Sequence, residues 1–390
     1  MATKAANHHF GRMIACPLLL FSIHAFAQAP MVGNYASAPD EWLLGRGQRW
    51  HYHTDTAKKP QELAIREPIG DEIAIVDKAK ILLNNSSAKA VALIDGDQIV
   101  WSGYNLPANS KSLLLSFSVG KTITAMAIGK AVCAGKLSLT DSAESFVAEL
   151  KDTALGRATV QQLLEMSSGT SAINRDSSIM SAEQERDMRL GKISFVDILK
   201  TPKVSNAHEG WSGNKRQPGE VFDYHGTDPL LLGVILNRAT GTSYAKWVEK
   251  EVLIPAGISN EAIIGQDHFD YGMADGNVRM TLEDWARFAI WVKRNESGGG
   301  CFSDYVKQAS ITHMPNTIKR EGKAFDGYGY LIWTENYWQK NSYWAVGYGG
   351  QRIAWNHKNQ RILIAFSNVE NYMDKLYALY ADWATLPSKD

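Results

Sequence analysis

The chain has 390 residues, with 41 basic and 41 acidic side chains, 45% hydrophobic residues, 32 glycines and 3 cysteines. That balance excludes a disordered chain, which is poor in apolar residues and rich in net charge, and a collagen-like or disulfide-scaffold chain, which needs far more Gly or Cys. No Lys/Arg block is present to neutralise phosphates, so no nucleic-acid partner is expected, and the length suits two domains or one with a large insertion.

Residues 1–27 read as a secretory signal peptide. Lys4 and Arg12 supply positive charge, Met13 to Ile23 form a short apolar run, and Ala25-Phe26-Ala27 is a small-x-small cleavage site before Gln28. The apolar run is too short for a membrane span, which takes roughly 20 residues, and no later stretch supplies one. A periplasmic or secreted location is therefore expected. Cys133 and Cys301 would then stand in an oxidising compartment, where they either pair or remain two buried thiols; a bridge requires Cα atoms within about 7 Å.

Residues 28–67 form an irregular, aromatic-dotted arm with Trp42, Trp50, Tyr52 and the pair His51 and His53. Two histidines without a third ligand nearby are a structural pair rather than a metal site, and no HExxH occurs. From 68 to 144 the pattern is a helix over Ile73 to Leu83, a hairpin of Ala90 to Ile94 and Gln98 to Trp101 around Asp95-Gly96-Asp97, and a helix over Thr122 to Cys133 stopped by Gly135. Residues 145–313 read as mostly helical, with helices over Thr159 to Met166, Asp228 to Arg238, Ser243 to Leu253 and Thr281 to Arg294. Thr159 and Thr281 are N-cap candidates, with Gln162 and Asp284 three residues on. Residues 314–390 return to strands, at Gly329 to Trp333, Ser342 to Val346, Ile353 to Asn356 and Ile362 to Ser367, then a closing helix from Tyr372 to Leu386. The expected fold is α+β: an antiparallel sheet built from both ends of the chain and flanked by helices, with an inserted helical domain.

The chemistry starts at Ser118-Val119-Gly120-Lys121. A helix opening at Ser118 places its hydroxyl at the positive N-terminal end, with Lys121 one turn on along the same face. The spacing Ser-x-x-Lys also occurs at Ser86, Ser212 and Ser243. Only Ser118 follows an apolar run, Leu113 to Leu115, and opens an apolar helix, where burial favours the neutral amine that a general base requires. A phosphate-binding loop is excluded because Leu115 stands where glycine is needed, and a Gly-x-Ser-x-Gly elbow because Ser116 does.

Three ordered motifs then carry a resemblance: Ser118-Val119-Gly120-Lys121-Thr122, the stretch from Ala158 to Gly169 containing Gln162-Leu163-Leu164-Glu165-Met166-Ser167-Ser168-Gly169, and Gln217-Pro218-Gly219-Glu220-Val221-Phe222-Asp223-Tyr224. With Thr281 to Phe288, Tyr328-Gly329-Tyr330 and Gly347-Tyr348-Gly349-Gly350-Gln351, the chain from about Ala90 to Asn368 resembles the serine β-lactamase-related superfamily. It is most similar to the branch of 6-aminohexanoate-dimer hydrolases and family VIII carboxylesterases. The resemblance implies a site in the cleft between an α/β and a helical domain, with no metal or organic cofactor. It makes Ser118 the acylated nucleophile and Lys121 and Tyr224 the general base and acid. The backbone N–H groups of Ser118 and of Tyr348 or Gly349 become the oxyanion hole.

Two departures bear on substrate. β-Lactamases and penicillin-binding transpeptidases usually carry Asn two residues after the tyrosine, where this chain has Gly226, preceded by His225; their Lys-Thr-Gly strand is replaced near Val346-Gly347-Tyr348. Loss of both recognition groups points to esters or small linear amides as the small-molecule partner. A penicillin-recognising enzyme and a non-catalytic binding module on the same fold are the alternatives. His225, Gly226, Asn277 and Gln351 are the candidate substrate contacts; His225 either binds substrate or assists deacylation, or is an adjacent histidine exposed at the cleft rim, and Trp211, Trp333, Trp338 and Trp344 are candidates for an apolar pocket wall. Oligomeric state has no signal in the sequence.

Overall fold

In a computed structural model, the structure describes residues 51–170, 181–207, 215–317, 319 and 322–388. The signal-peptide reading, Trp42, Trp50, Trp211 and the first part of the polar segment after Thr170 lie outside them. The strands are β1 (His51–His53), β2 (Ala64–Ile65), β3 (Ala88–Asp95), β4 (Gln98–Tyr104), β5 (Leu114–Leu115), β6 (Ile263–Gly265), β7 (Val278–Met280), β8 (Met314–Pro315), β9 (Phe325–Tyr328), β10 (Trp333–Asn336), β11 (Ser342–Gly347), β12 (Gln351–Asn356) and β13 (Arg361–Ser367). The helices that position the site are α1 (Glu72–Asn84), α2 (Gly120–Cys133), α3 (Val160–Leu164), α4 (Thr227–Thr240), α5 (Leu282–Glu296), α6 (Cys301–Ala309) and α7 (Met373–Thr385).

Nine strands form the main sheet in the order β2-β4-β3-β13-β12-β11-β10-β9-β8, antiparallel throughout except where β2 joins β4. The hairpin β3–β4 turns through Gly96, at φ 59°, and β3 then pairs with β13 from the far end of the chain, Ala92 opposite Ile364. The two faces of the sheet separate by the period-2 rule. Trp344, Ala354 and Leu363 lie across from one another on one face, where the Trp344 ring meets Tyr377 and Tyr380 of α7. Tyr343, Trp355 and Ile362 occupy the other. There the Trp355 indole N–H donates to the Ala289 carbonyl of α5, and Trp285 packs on Phe366. The sheet is thus the middle layer between helices, and β12 and β13 are buried at every position.

Local chemistry sets the helix ends. Thr159 caps α3 in a reciprocal box with Gln162, and the Thr281 side chain accepts from the Asp284 N–H to start α5. Gly135 at φ 66° closes α2. Three expectations need correction. The run Gly329 to Trp333 is the turn between β9 and β10: Gly329 comes so close to the Ala309 and Ile311 carbonyls that no side chain fits, and Leu331 turns back at φ 54°. The run Ser243 to Leu253 is a short helix over Tyr244–Val248 followed by a wider π-type turn over Glu249–Leu253. Finally, β6 and β7, read as part of a helical region, form with β1 and β5 a second antiparallel sheet in the order β1-β6-β7-β5. Strands of two or three residues leave too little period-2 pattern to detect.

Candidate active site

Ser118 sits in a single 3-10 turn, Phe117–Val119, that feeds α2, so the α-helix proper begins two residues later than its hydroxyl. The turn is fixed from two sides. The Ser116 N–H donates to the Val278 carbonyl, the Val278 N–H donates back to the Ser116 Oγ, and Phe117 takes φ 44°. Gly276 and Gly347 press against the same turn: a Cβ on either would lie 2.5 Å from the Phe117 or the Ser116 carbonyl oxygen. The second sheet thus holds one side of the nucleophile turn and β11 of the main sheet holds the other. Gly347→Ala, whose methyl has no room, is expected to cost about 1–3 kcal/mol and to lower melting temperature and turnover together; an unchanged melting curve counts against this account.

Lys121, one turn into α2, is only 1% exposed. Its Nζ donates to the Ser118 Oγ at 2.9 Å and to the backbone carbonyl of Asp275, and stands 5.2 Å from the centre of the Tyr224 ring. Burial raises the Asp275 carboxyl above the ordinary range, with the Lys121 charge opposing. The Tyr224 ring packs against Trp333 at 5.1 Å and Tyr328 at 6.0 Å between centroids. Ser118, Lys121 and Tyr224, 106 positions apart at the extremes, are therefore brought together by α2, the segment before α4, and β10.

Tyr348 follows β11 with its ring 42% exposed and edge-on to Phe117 at 5.8 Å, beside the nucleophile turn. Gly349 and Gly350 take φ 75° and 99°, a pair of left-handed residues that turns the chain back into β12. Gln351 is buried. Its Nε2 donates to the Tyr348 and Ser367 carbonyls at 2.7 and 2.6 Å, and its Oε1 accepts from the Ser367 N–H at 2.9 Å. Both ends of the amide are thus engaged in shaping the loop.

His225 is nearly buried, at 3% exposure, with its Nε2 3.6 Å from Asp228. Gly226 is the residue that opens α4. Asn277 takes φ 65° between Gly276 and β7 and is half-buried, with its Nδ2 on the Met273 sulfur at 3.0 Å. Of the proposed tryptophan wall, Trp333 and Trp344 are core residues and Trp338 is exposed. Phe117 and Asp275 at the site were not singled out for it by sequence, and Trp333, a candidate for the pocket wall, lies against the Tyr224 ring. Asp275-Gly276-Asn277 had a signal, a small polar turn before Val278-Arg279-Met280, but nothing in it pointed at Lys121.

A family model described as beta-lactamase matches residues 87–386. Protein flp of Staphylococcus aureus strain COL is 28% identical over 194 residues, 48% of this chain; the match spans only 33% of that protein's length. Among solved structures, a Bacillus anthracis protein described as a 6-aminohexanoate-dimer hydrolase superposes with a TM-score of 0.68 at 19% identity, covering 90% of this chain and 95% of the other. EstCE1, described as a hydrolase with promiscuous acyltransferase activity, gives a TM-score of 0.61 at 13% identity over 80% of this chain and 98% of its own. With the model matching well over half its length, the chain belongs to the beta-lactamase family, a family of hydrolases built on the serine beta-lactamase fold.

Proposed function

We propose that the protein is an exported serine hydrolase that cleaves carboxylic esters or small linear amides through an acyl-Ser118 intermediate. The observation that carries this reading is the buried Lys121 amine at 2.9 Å from the Ser118 hydroxyl. Along that line, the Lys121 amine takes the serine proton as Oγ attacks the substrate carbonyl. The tetrahedral oxyanion is held by the backbone N–H groups of Ser118 and of Tyr348 or Gly349. Tyr224, beside the lysine charge, hands a proton to the departing alkoxide or amine. Water then attacks the acyl carbonyl and gives a proton to the Tyr224 phenolate, and the Ser118 Oγ leaves with the proton that Lys121 took.

The departures of Gly226 and of the Val346-Gly347-Tyr348 stretch support esters and linear amides over β-lactams, since neither supplies the amide or the cation that would hold a β-lactam. The names of the two structural neighbours, one an amide hydrolase and one an acyl-transferring hydrolase, fit the same range of leaving groups. Export is supported by the leader-like residues 1–27 and by the Cys133–Cys301 disulfide, a bond that persists in oxidising compartments.

The test is turnover of p-nitrophenyl acetate, p-nitrophenyl butyrate, a linear 6-aminohexanoate dimer and nitrocefin by the mature chain. Ester turnover is expected, with nitrocefin at least ~1000-fold slower, and Tyr224→Phe is expected to lose ~100- to 1000-fold in kcat on esters. Fast nitrocefin turnover would move the protein to the penicillin-recognising class.

A further inference from the structure

Beneath Tyr224 lies a buried polar cluster that the reaction above does not use. Asp228, in the first turn of α4, is fully buried, as is Ser168, while His225 is nearly so. The Ser168 Oγ donates to Asp228 Oδ1 at 2.5 Å, and the Ser168 N–H reaches Oδ2 at 3.3 Å. His225 Nε2 faces the same Oδ2 at 3.6 Å. Thr170 Oγ1 joins Ser168 at 2.9 Å.

This cluster is the last of three stitches between two chain segments. The Gly219 N–H donates to the Ser167 carbonyl and the Asp223 N–H to the Met166 carbonyl, and Asp228 then grips Ser168. Tyr224 lies between the second stitch and the third. Its ring position over Lys121 therefore depends on both, since a turn of chain held at one end only is free to pivot.

The charged and titratable groups around Asp228 are few. Asp223, paired with Arg216 at 2.7 Å, comes from the strand of chain before it; His225 is on its own segment; Tyr328 of β9 and Tyr224 complete the surroundings. No arginine or lysine of the described residues forms an ion pair with Asp228 itself. Burial pushes its carboxyl up to about 8, with the Ser168 donors opposing and the Asp223 charge reinforcing.

We propose that Asp228, held by Ser168 and facing His225, is the positioning residue for Tyr224, and that the cluster carries one exchangeable proton whose loss in mildly alkaline solution loosens the tyrosine and slows the chemical step. The proposal rests on the reading of Tyr224 as the proton donor to the leaving group. When the proton departs, a carboxylate is left in a dry site without a cation, and the segment relaxes to let water reach it. The protonated carboxyl, which can donate toward His225 Nε2, needs no such relaxation.

The experiment compares wild type, Asp228→Asn and Asp228→Ala in kcat and KM for p-nitrophenyl acetate between pH 6 and 9.5. In wild type, kcat is expected to fall at least tenfold around pH 8, with KM within threefold. Asp228→Asn, which keeps the shape and the acceptor oxygen for the Ser168 hydroxyl and puts an amide NH2 in place of the acidic OH, is expected to abolish that fall while keeping kcat at pH 7 within about threefold. Asp228→Ala is expected to lose at least 30-fold in kcat at pH 7 with little change in KM. An alkaline fall that survives in Asp228→Asn, or full kcat in a folded Asp228→Ala, overturns the proposal. A measurement free of turnover separates this from the functional reading: the ring resonances of Tyr224, identified by their loss in Tyr224→Phe, are expected to shift between pH 7 and 9 in wild type and to stay in place in Asp228→Asn. If no ester is turned over, the proton-donor role of Tyr224 fails on the assay, whereas resonances that shift equally in both proteins reject the positioning role of Asp228.

Discussion

Ser118→Ala is expected to lower p-nitrophenyl acetate turnover by at least ~10,000-fold while leaving the melting temperature within a few degrees. Removing the nucleophile from a unit that acts together removes nearly the whole covalent route, and what remains is catalysis by binding and by the oxyanion donors. The fold should not notice, because the Ser118 side chain is half-buried and the turn around it is held by Ser116, Gly276 and Gly347 instead. Lys121 keeps one partner, the Asp275 carbonyl, when the hydroxyl is gone. Mass spectrometry adds a second readout: wild type incubated with a slow ester should gain one acyl group on the peptide containing Ser118, and the alanine variant none. Retained turnover in the variant would remove Ser118 from the mechanism altogether.

The second large effect is on stability. Cys133 is the last residue of α2 and Cys301 the first of α6; their Cα atoms are 5.8 Å apart and the sulfurs are bonded across 168 positions of sequence. Closing so long a loop removes much of the unfolded chain's freedom, which puts the bond at ~2–5 kcal/mol. Replacing both cysteines by serine, or adding a reducing agent, should therefore lower the urea midpoint markedly. Turnover below the transition should change little, because the bond lies at the opposite end of α2 from Ser118, about 20 Å along the helix axis. Equal urea midpoints with and without reductant would show that the bond contributes nothing measurable.

What sequence revealed and what it hid divide along physical lines. Elements with long apolar runs, a side-chain cap or a turn signal were legible: α1 and α2, the Gly96 hairpin, α5 with its Thr281 cap, and the paired strands β11 to β13. So were the members of the Ser-x-x-Lys pair, because their spacing is fixed within one helix, and the structure places Nζ against Oγ as that spacing implies. Tyr224 was found through its motif alone, since nothing local marks a tyrosine as belonging to a serine 106 positions earlier. The second sheet was hidden by the shortness of its strands. The burial of His225 and Gln351 was hidden because a polar side chain next to a motif looks alike whether it faces the cleft or a buried partner. Asp228 and Ser168, 60 positions apart, meet only in three dimensions. Cys133 and Cys301 were visible as residues, but their pairing required the approach of α6 to the end of α2.

The pairing of β3 with β13 also sets a clock for synthesis. Ala92 leaves the ribosome 272 positions (364 minus 92) ahead of Ile364, its partner across the sheet. At about 5–20 residues per second the interval runs to roughly 15–50 s. Throughout that time the apolar strand β3 has one neighbour, β4, and no other. A chain whose central strand waits that long for its second neighbour leaves an apolar edge open to pairing with another copy.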